Sequence, residues 1–359
     1  MKLSSFPYLV QKEIFDHLTI NNIFFLSLCS RNTKNLITQT QKYQFQKVEH
    51  VDYWITPKAM TISVKTVSRV DNDLVMSLFS TPAEFEKFML GHEDSDLVEE
   101  IQVDVFGTSI DLFRSRANRS DLHAKYCSNN LESTIEAVHN CLYDLLGDHT
   151  RSWLTSICEE THRLPMLRNM QMLGIYGGVF ESERIDEIMF NSACFEYLAT
   201  IECHERTNSL RKNSKVNKLE TVHATTGCSL ATDVMKHFNG RHVFFSGHYT
   251  FTTDAVLFLN AWKSGEKFRN LEVMSIDKDD HFDIPWIRRW GVEFKEVDTE
   301  VEYAYVRKLR QRDPTRAFKS NLYLVRESDG HVASVLLTPT QIIMGVWNLT
   351  ETQFLERFQ

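Results

Sequence analysis

One apolar template recurs along the chain and limits the folds that it can adopt. The template is an apolar residue, two others, an apolar residue, one other and a third apolar residue, which is typical of a short buried strand. Helical patterns lie between copies, over 131–146 with Asn130 as cap and Gly147 as stop, and over 253–262. This alternation predicts an α/β chain. The copies are Val98–Val103, Met170–Ile175, Leu198–Cys203, Leu219–Ala224 and Leu271–Ile276.

The spacing of the later copies is typical of a leucine-rich-repeat stack. They begin roughly 20 to 30 residues apart, with 243–245 filling one longer gap, and a strand–helix unit of that length buries its face only against its neighbours. The Asn or Cys that such repeats carry after the third apolar residue is absent, so we expect an irregular stack. A non-repetitive α/β domain whose strands fit a permissive template is the alternative. The positions concerned hold Gly178, Arg206, Gly227 and Asp279.

A shortage of glycine and proline supports a compact architecture. Of 359 residues, 13 are Gly and 7 are Pro, too few for a linker-dominated or turn-rich all-β chain. Gly-poor connections also predict little free linker near 40–52. The net charge of −8 gives no general affinity for nucleic acid or acidic membranes, and we expect neither as a partner.

The cysteine content and the N-terminal residues predict a cytoplasmic and/or nuclear protein. The seven cysteines form no CxxC pair, and an odd number suits a reducing compartment. No secretory signal is visible, and the most apolar run, 23–29, is too short to span a bilayer.

A β-hairpin is predicted near the C-terminus. Alternating runs at 321–326 and 331–336 flank a turn that contains Asp329 and Gly330, and both of these residues tolerate positive φ. A further strand is expected over 341–347.

Residue types that carry catalysis or bind metals show no functional spacing. The 14 histidines form no HExxH motif, and 174–178 lacks the spacing of a nucleotide-binding glycine loop. The acidic segment 277–283 lacks the Gly and the closing Glu of a calcium loop. The basic stretches 206–218 and 307–319 lack interleaved aromatic residues and are interpreted as solvated loops. We therefore expect a non-enzymatic binding protein with no cofactor and no metal.

Three short helices are predicted in about the first 40 residues, a unit too small to bury much surface. Residues 6–18 show a helical apolar stripe, Asn21 or Asn22 can cap a second helix, and a third follows Ser30. The second helix is apolar on nearly every side. Either a partner protein covers this helix, or the three helices form a cap on the main domain.

Two parts of the chain resemble domains of one protein family. Residues Phe6–Leu18 and Ile23–Ile37 closely resemble an F-box, and Leu26–Ile37 looks like the variant common in expanded nematode F-box families. Phe6 stands where Leu is usual, and Leu9 where an acid is common. The second part resembles the F-box-associated domain (type 2-like) of those nematode proteins, through Thr253–Gly265, Leu271–Ile276, Trp290–Phe294 and Arg326–Trp347.

The resemblance implies a substrate-receptor subunit of a Skp–cullin–F-box ubiquitin ligase. Residues 1–48 would be the F-box, which binds a Skp-family adaptor and through it a cullin. Residues 49–359 would recruit an unknown protein target, with the F-box-associated segment at about 215–347, and catalysis would belong to the conjugating enzyme. By motif position, adaptor contact and the F-box core would be divided among Phe6, Pro7, Leu9, Val10, Ile14, Leu18, Leu26 and Leu28.

Two other classes of function stay open at this level. An F-box protein without a cullin would act as a scaffold or ligand sensor. A hydrolase or a nucleic-acid-binding protein would need convergent polar residues in a pocket or a continuous basic stripe.

Overall fold

The computed structural model divides by its contacts into two compact units. The first unit contains Met1–Leu173 and Glu187–Phe195, and the second contains Gly174–Asp186 and Glu196–Gln359. The predicted division at 48/49 follows sequence motifs, whereas by contacts the N-terminal helices belong to the first unit. The structure describes residues 3–56, 59–66, 73–79, 99–105, 107–114, 122–125, 131–157, 164–177, 179–192, 194–201, 204–205, 210–225, 229–247, 252–278, 281–306 and 315–358.

Three helices open the first unit, as predicted. They are α1 (Tyr8–Asp16), α2 (Ile20–Cys29) and α3 (Arg31–Phe45), and a short 3₁₀ turn, Leu3–Ser5, precedes them. The Ser30 hydroxyl caps α3 by accepting a hydrogen bond from the backbone N–H of Thr33 at 3.1 Å. The predicted cap of α2 is wrong, because the helix begins at Ile20 and both Asn21 and Asn22 lie within it.

The connection from the helices to the sheet is two residues long. Gln46 and Lys47 lie between α3 and the first strand, which begins at Val48. The end of α3 is also held from the side, since Nε2 of His149 forms a hydrogen bond with the carbonyl oxygen of Phe45 at 3.1 Å. The expectation of little free linker near 40–52 is therefore confirmed.

The sheet of the first unit is mixed, and most pairs of neighbouring strands in it are antiparallel. Its strands are β1 (Val48–Ile55), β2 (Ala59–Thr66), β3 (Asp73–Phe79), β4 (Glu99–Val105), β5 (Thr108–Arg114), β6 (Leu122–Lys125) and β7 (Arg151–Ser156). Their order is β4–β5–β6–β3–β2–β1–β7, with parallel pairing at β1/β7 and β3/β6. The described part of the template copy at Val98–Val103, from Glu99 onward, falls on β4, which pairs antiparallel with β5, so this copy does not belong to a parallel stack.

The helix α4 (Leu131–Leu146) matches the predicted 131–146 and ends at Gly147, whose φ is 99°. Its buried His139 joins this helix to the sheet and to the segment near Arg168. The Tyr53 hydroxyl lies 2.7 Å from Nδ1 of His139, and the backbone N–H of Arg168 donates to Nε2 at 3.1 Å. Because Nε2 accepts, the neutral ring carries its proton on Nδ1 and donates it to Tyr53. Burial, followed by the positive charge of Arg168, lowers the pKa of His139 to about 4.

The free energy of unfolding is expected to decrease as the pH falls from about 6.5 to about 4. The folded-state pKa of His139 is below its unfolded value, so the stabilisation is present above the unfolded pKa and is lost as the pH falls through the folded one. The shift corresponds to at most about 3 kcal/mol. Urea unfolding at a series of pH values measures the decrease, with His139→Gln as the control that lacks this titration. Identical pH profiles for the two proteins would contradict the assignment to His139.

Four parallel strands form the centre of the second unit. Two elements that precede these strands in the chain, β8 (Met170–Tyr176) and α5 (Ser182–Phe190), each contain a boundary between the units. A separate short parallel pair is formed by β9 (Val179–Phe180) and β11 (His204–Glu205). The central strands β10 (Tyr197–Ile201), β12 (Thr221–Thr225), β13 (His242–Ser246) and β14 (Val273–Asp277) are neighbours in chain order. A 3₁₀ turn (Lys215–Lys218) precedes β12, and the helices α6 (Ser229–His237) and α7 (Thr252–Lys263) connect β12 to β13 and β13 to β14. The strands predicted at the last three template copies and at 243–245 are thus confirmed.

An antiparallel region completes the second unit. Its strands are β15 (Lys295–Val306), β16 (Thr315–Val325), β17 (His331–Leu337) and β18 (Gln341–Thr350), and they continue the sheet in the order β14–β18–β17–β16–β15. The predicted hairpin is β16–β17, with Gly330 at φ 73°, and the further predicted strand is β18. A one-turn helix (Ile284–Trp286), a π-helical turn (Ile287–Gly291) and the last helix α8 (Glu351–Phe358) are the remaining described helical elements.

Some sequence predictions concern residues outside the described ranges. These are the helix cap Asn130, the repeat positions Gly178, Arg206, Gly227 and Asp279, and the first parts, 206–209 and 307–314, of the two basic stretches. The interpretation of 307–319 as a loop is wrong for its described part, because 315–319 belong to β16. In the other stretch, 215–218 form the 3₁₀ turn before β12.

Candidate functional site

The first turn of α1 presents three consecutive large apolar side chains to solvent. The side chains of Tyr8, Leu9 and Val10 are 55%, 75% and 42% exposed, and we refer to them as the α1 patch. Pro7 directly precedes the helix as its N-cap residue, and its carbonyl oxygen accepts from the backbone N–H groups of Val10 and Gln11 at 3.0 and 3.1 Å. Proline suits this position because its missing N–H would have no partner inside the helix.

Polar contacts at both ends hold α1 in place. At its start, Nε2 of the buried Gln11 donates to the carbonyl oxygen of Phe6 at 2.6 Å, which fixes the preceding segment. At its end, Asp16 accepts from Nε2 of Gln41 on α3 at 2.8 Å and from the ammonium of Lys12. The bonds from Lys12 and then Gln41 lower the pKa of the Asp16 carboxyl. The α1 patch is therefore a feature of an anchored helix.

The interior of the three helices consists of other residues. Phe15, Ile23, Phe24, Ile37 and Phe45 are all buried. Besides α1 and α3, the elements packed around this interior include β3 and α4, both of which contact α2. The chain itself therefore covers a large part of the apolar α2, and this packing supports the interpretation of the helices as a cap on the main domain.

The predicted adaptor-binding residues lie at the surface or just beneath it. Pro7, Leu9 and Val10 are exposed, whereas the others, Phe6, Ile14, Leu18, Leu26 and Leu28, are half-buried. Leu18 also lines a cavity of about 350 Å³ bounded by the α1–α2 turn, the end of α3 and the start of β1. None of the eight belongs to the fully buried core, so all keep surface that a partner can contact.

Sequence reasoning did not select Tyr8, which is part of the α1 patch. Its position between Pro7 and Leu9, inside the quoted motif, was the available signal. Aromatic side chains with one polar atom contribute much of the binding energy at protein interfaces, because they combine large contact area with few rotatable bonds.

The chemistry of this surface is that of protein association. Three large apolar side chains exposed in one turn of a helix are typical of an interaction site. Among the described residues, no group of three or more His, Cys, Asp or Glu side chains could hold a metal ion. None of the described helices combines the length and the apolar character needed to cross a membrane.

The comparison with protein families places a known domain on these helices. Residues 3–45 match the F-box domain. Comparisons with curated proteins and with solved structures give no match. The chain thus carries an F-box domain that includes the whole α1 patch. Such domains typically bind Skp-family adaptors, which implies in general a substrate-adaptor role in a Skp–cullin–F-box complex.

Proposed function

We propose that this chain is the substrate receptor of a Skp–cullin–F-box ubiquitin ligase. The observation that carries the proposal is the α1 patch, an apolar surface inside the F-box domain that the described part of the chain leaves exposed. The adaptor covers this patch and links the chain to a cullin, while residues beyond the helices recruit a protein target. The chain holds the target near the conjugating enzyme, which raises the effective concentration of its lysines, and performs no chemistry itself. A cytoplasmic and/or nuclear location follows from this role.

The target-recruiting part is proposed to be a leucine-rich-repeat-like region that includes an F-box-associated domain of the nematode type. The in-register parallel strands β10, β12, β13 and β14, with α6 and α7 between them, support the first part of this proposal. Support for the second comes from the motif residues Phe258, Leu259 and Trp262 of α7, which are buried on one face of the helix. Gly265, with φ 75°, follows that helix as the motif requires.

Copurification tests the proposed role directly. The chain is expressed with a recombinant Skp-family adaptor and a cullin, and the complex is isolated by size exclusion after affinity capture of the chain. A stoichiometric complex of all three supports the receptor role. A chain that captures the adaptor without the cullin would instead support a scaffold or ligand-sensing protein, and a chain that captures neither would refute the proposal.

A further inference from the structure

A polar cavity of about 810 Å³ lies in the second unit, where residues preceding three neighbouring parallel strands meet the end of β18. We call it the ladder pocket and define it by the lining residues Lys218, Asn239, Arg241, Arg269, Glu272 and Trp347. Because β12, β13 and β14 pair in parallel with Thr221, His242 and Val273 in register, the residues before these strands are brought side by side.

Those preceding residues form a ladder of alternating charge. Nε of Arg241 donates to Oε1 of Glu272 at 2.7 Å, and the guanidinium lies 3.7 Å from Oε1 of Glu220 on the other side. The charge of Arg241 is thus already paired with two carboxylates. Arg241 forms part of the pocket wall, but it is not a free cation for a ligand.

Two further cations of the ladder pocket are in a different situation. Lys218 and Arg269 are both exposed, and no carboxylate among the described residues pairs with either. Within the described part of the chain, the side chain of Arg269 makes one hydrogen bond, from Nε to the carbonyl oxygen of Gly265 at 3.0 Å, and its terminal nitrogens make none. The two carboxylates and the one guanidinium of the ladder have a net charge of −1. Addition of the two cations Lys218 and Arg269 therefore gives the pocket a small positive net charge.

The main chain of Arg269 is held by the buried Arg326, which is itself paired with the more exposed Asp329. Arg326 is 4% exposed, and its Nη1 donates to the carbonyl oxygen of Arg269 at 3.0 Å. Its Nε and Nη2 donate to the two carboxylate oxygens of Asp329 at 2.9 and 2.8 Å. A bidentate pair of this kind has a defined geometry. It fixes the guanidinium that holds the backbone carbonyl of Arg269, so the backbone position of this residue is defined.

Amide and aromatic groups supply the remaining walls. Nδ2 of Asn270 donates to the carbonyl oxygen of Asn239 at 3.1 Å, which leaves amide groups at the rim. The rings of Trp347 and Tyr303 meet edge to face at 4.9 Å and form an apolar side. Amides can bond a peptide backbone, and an aromatic wall can contact a peptide side chain.

We propose that the ladder pocket binds an acidic peptide segment of the recruited protein, with carboxylates of the segment paired to Lys218 and Arg269. This inference rests on the proposed function, because it assigns the surface that holds the target. The net charge of −8 disfavours acidic peptides over the protein as a whole, so binding depends on these two cations.

Fluorescence anisotropy tests the proposal with the full chain and a labelled peptide of alternating Glu and Ser. We expect saturable binding of this peptide and none of its Gln/Ser counterpart. The double variant Lys218→Gln with Arg269→Gln is expected to weaken binding about tenfold or more, as for the loss of two charge pairs. The matched control Lys236→Gln with Arg316→Gln removes two exposed cations of the same unit that do not line the pocket, and it should change binding less than about twofold.

Several outcomes would overturn the proposal. Equal losses of peptide affinity in both double variants would show that the peptide is attracted unspecifically by surface cations. Binding of the Gln/Ser peptide with the same affinity as the Glu/Ser peptide would show that carboxylates play no role. Competition by low millimolar inorganic phosphate would indicate a phosphate site instead. Adaptor copurification with the unmodified chain separates the two hypotheses. An unmodified chain that forms the adaptor complex but does not bind the Glu/Ser peptide refutes the ladder pocket. An unmodified chain that binds the peptide but forms no adaptor complex refutes the receptor role.

Discussion

Replacing Leu9 and Val10 together by Asp is expected to weaken the binding of a Skp-family adaptor at least about a hundredfold. Apolar anchors at the centre of an interface typically cost about 2 kcal/mol or more each when they are removed, and 1.4 kcal/mol corresponds to a factor of ten in affinity. A carboxylate at either position also has to be desolvated in the complex. Isothermal titration of the purified chain with the recombinant adaptor measures the change.

The same double variant should leave the fold unchanged. Both side chains are exposed, and acidic residues are favourable in the first turn of a helix because they lie near the positive end of its dipole. Leu257→Asp is the matched control, since Leu257 is a 67% exposed leucine on α7, outside the F-box domain. Equal adaptor affinities of the two variants would show that the α1 patch is not the contact surface.

Phe24→Ala is expected to destabilise the chain by about 3–5 kcal/mol, the range typical of a fully buried phenylalanine. Its side chain has no exposed surface, and the helix that carries it packs on α3, β3 and α4. The deletion therefore leaves a cavity that several elements would have to close. Urea unfolding of the chain without any partner measures the effect.

Phe24→Leu serves as the graded control for this prediction. A smaller apolar side chain fills part of the cavity and should cost clearly less than Ala. If Phe24→Ala lost adaptor binding while its unfolding curve stayed unchanged, α2 would be a contact surface instead of part of the core. The Leu9/Val10 and Phe24 variants thus separate association from folding within one small domain.

Local sequence signals predicted the elements whose limits depend on a few neighbouring residues. The helix α4 ends where Gly147 adopts a positive φ, and the hairpin turn contains Asp329 and Gly330 at the predicted place. The strands β12, β13 and β14 were visible because each is a short apolar run bounded by polar residues. In all these cases the interactions that decide the structure are close in sequence.

Features that depend on distant residues could not be predicted in the same way. The antiparallel pairing of β4 with β5 and the parallel pairing of β1 with β7 are determined by packing, since the template fits either kind of strand. The exposure of Leu9 and the burial of Phe24 likewise depend on what covers each helix. The ladder pocket was not predicted because its residues lie on separate connections and meet only through strand register.

The two-residue connection between α3 and β1 has a thermodynamic consequence for assembly. When a long flexible segment joins two binding domains, the segment loses conformational entropy once both domains are bound. The effective concentration of a bound partner also falls as that segment becomes longer. Here Gln46 and Lys47, together with the hydrogen bond from His149 to Phe45, leave no such tether to be ordered. The adaptor would bind a surface whose orientation to the first sheet is already set when the chain folds.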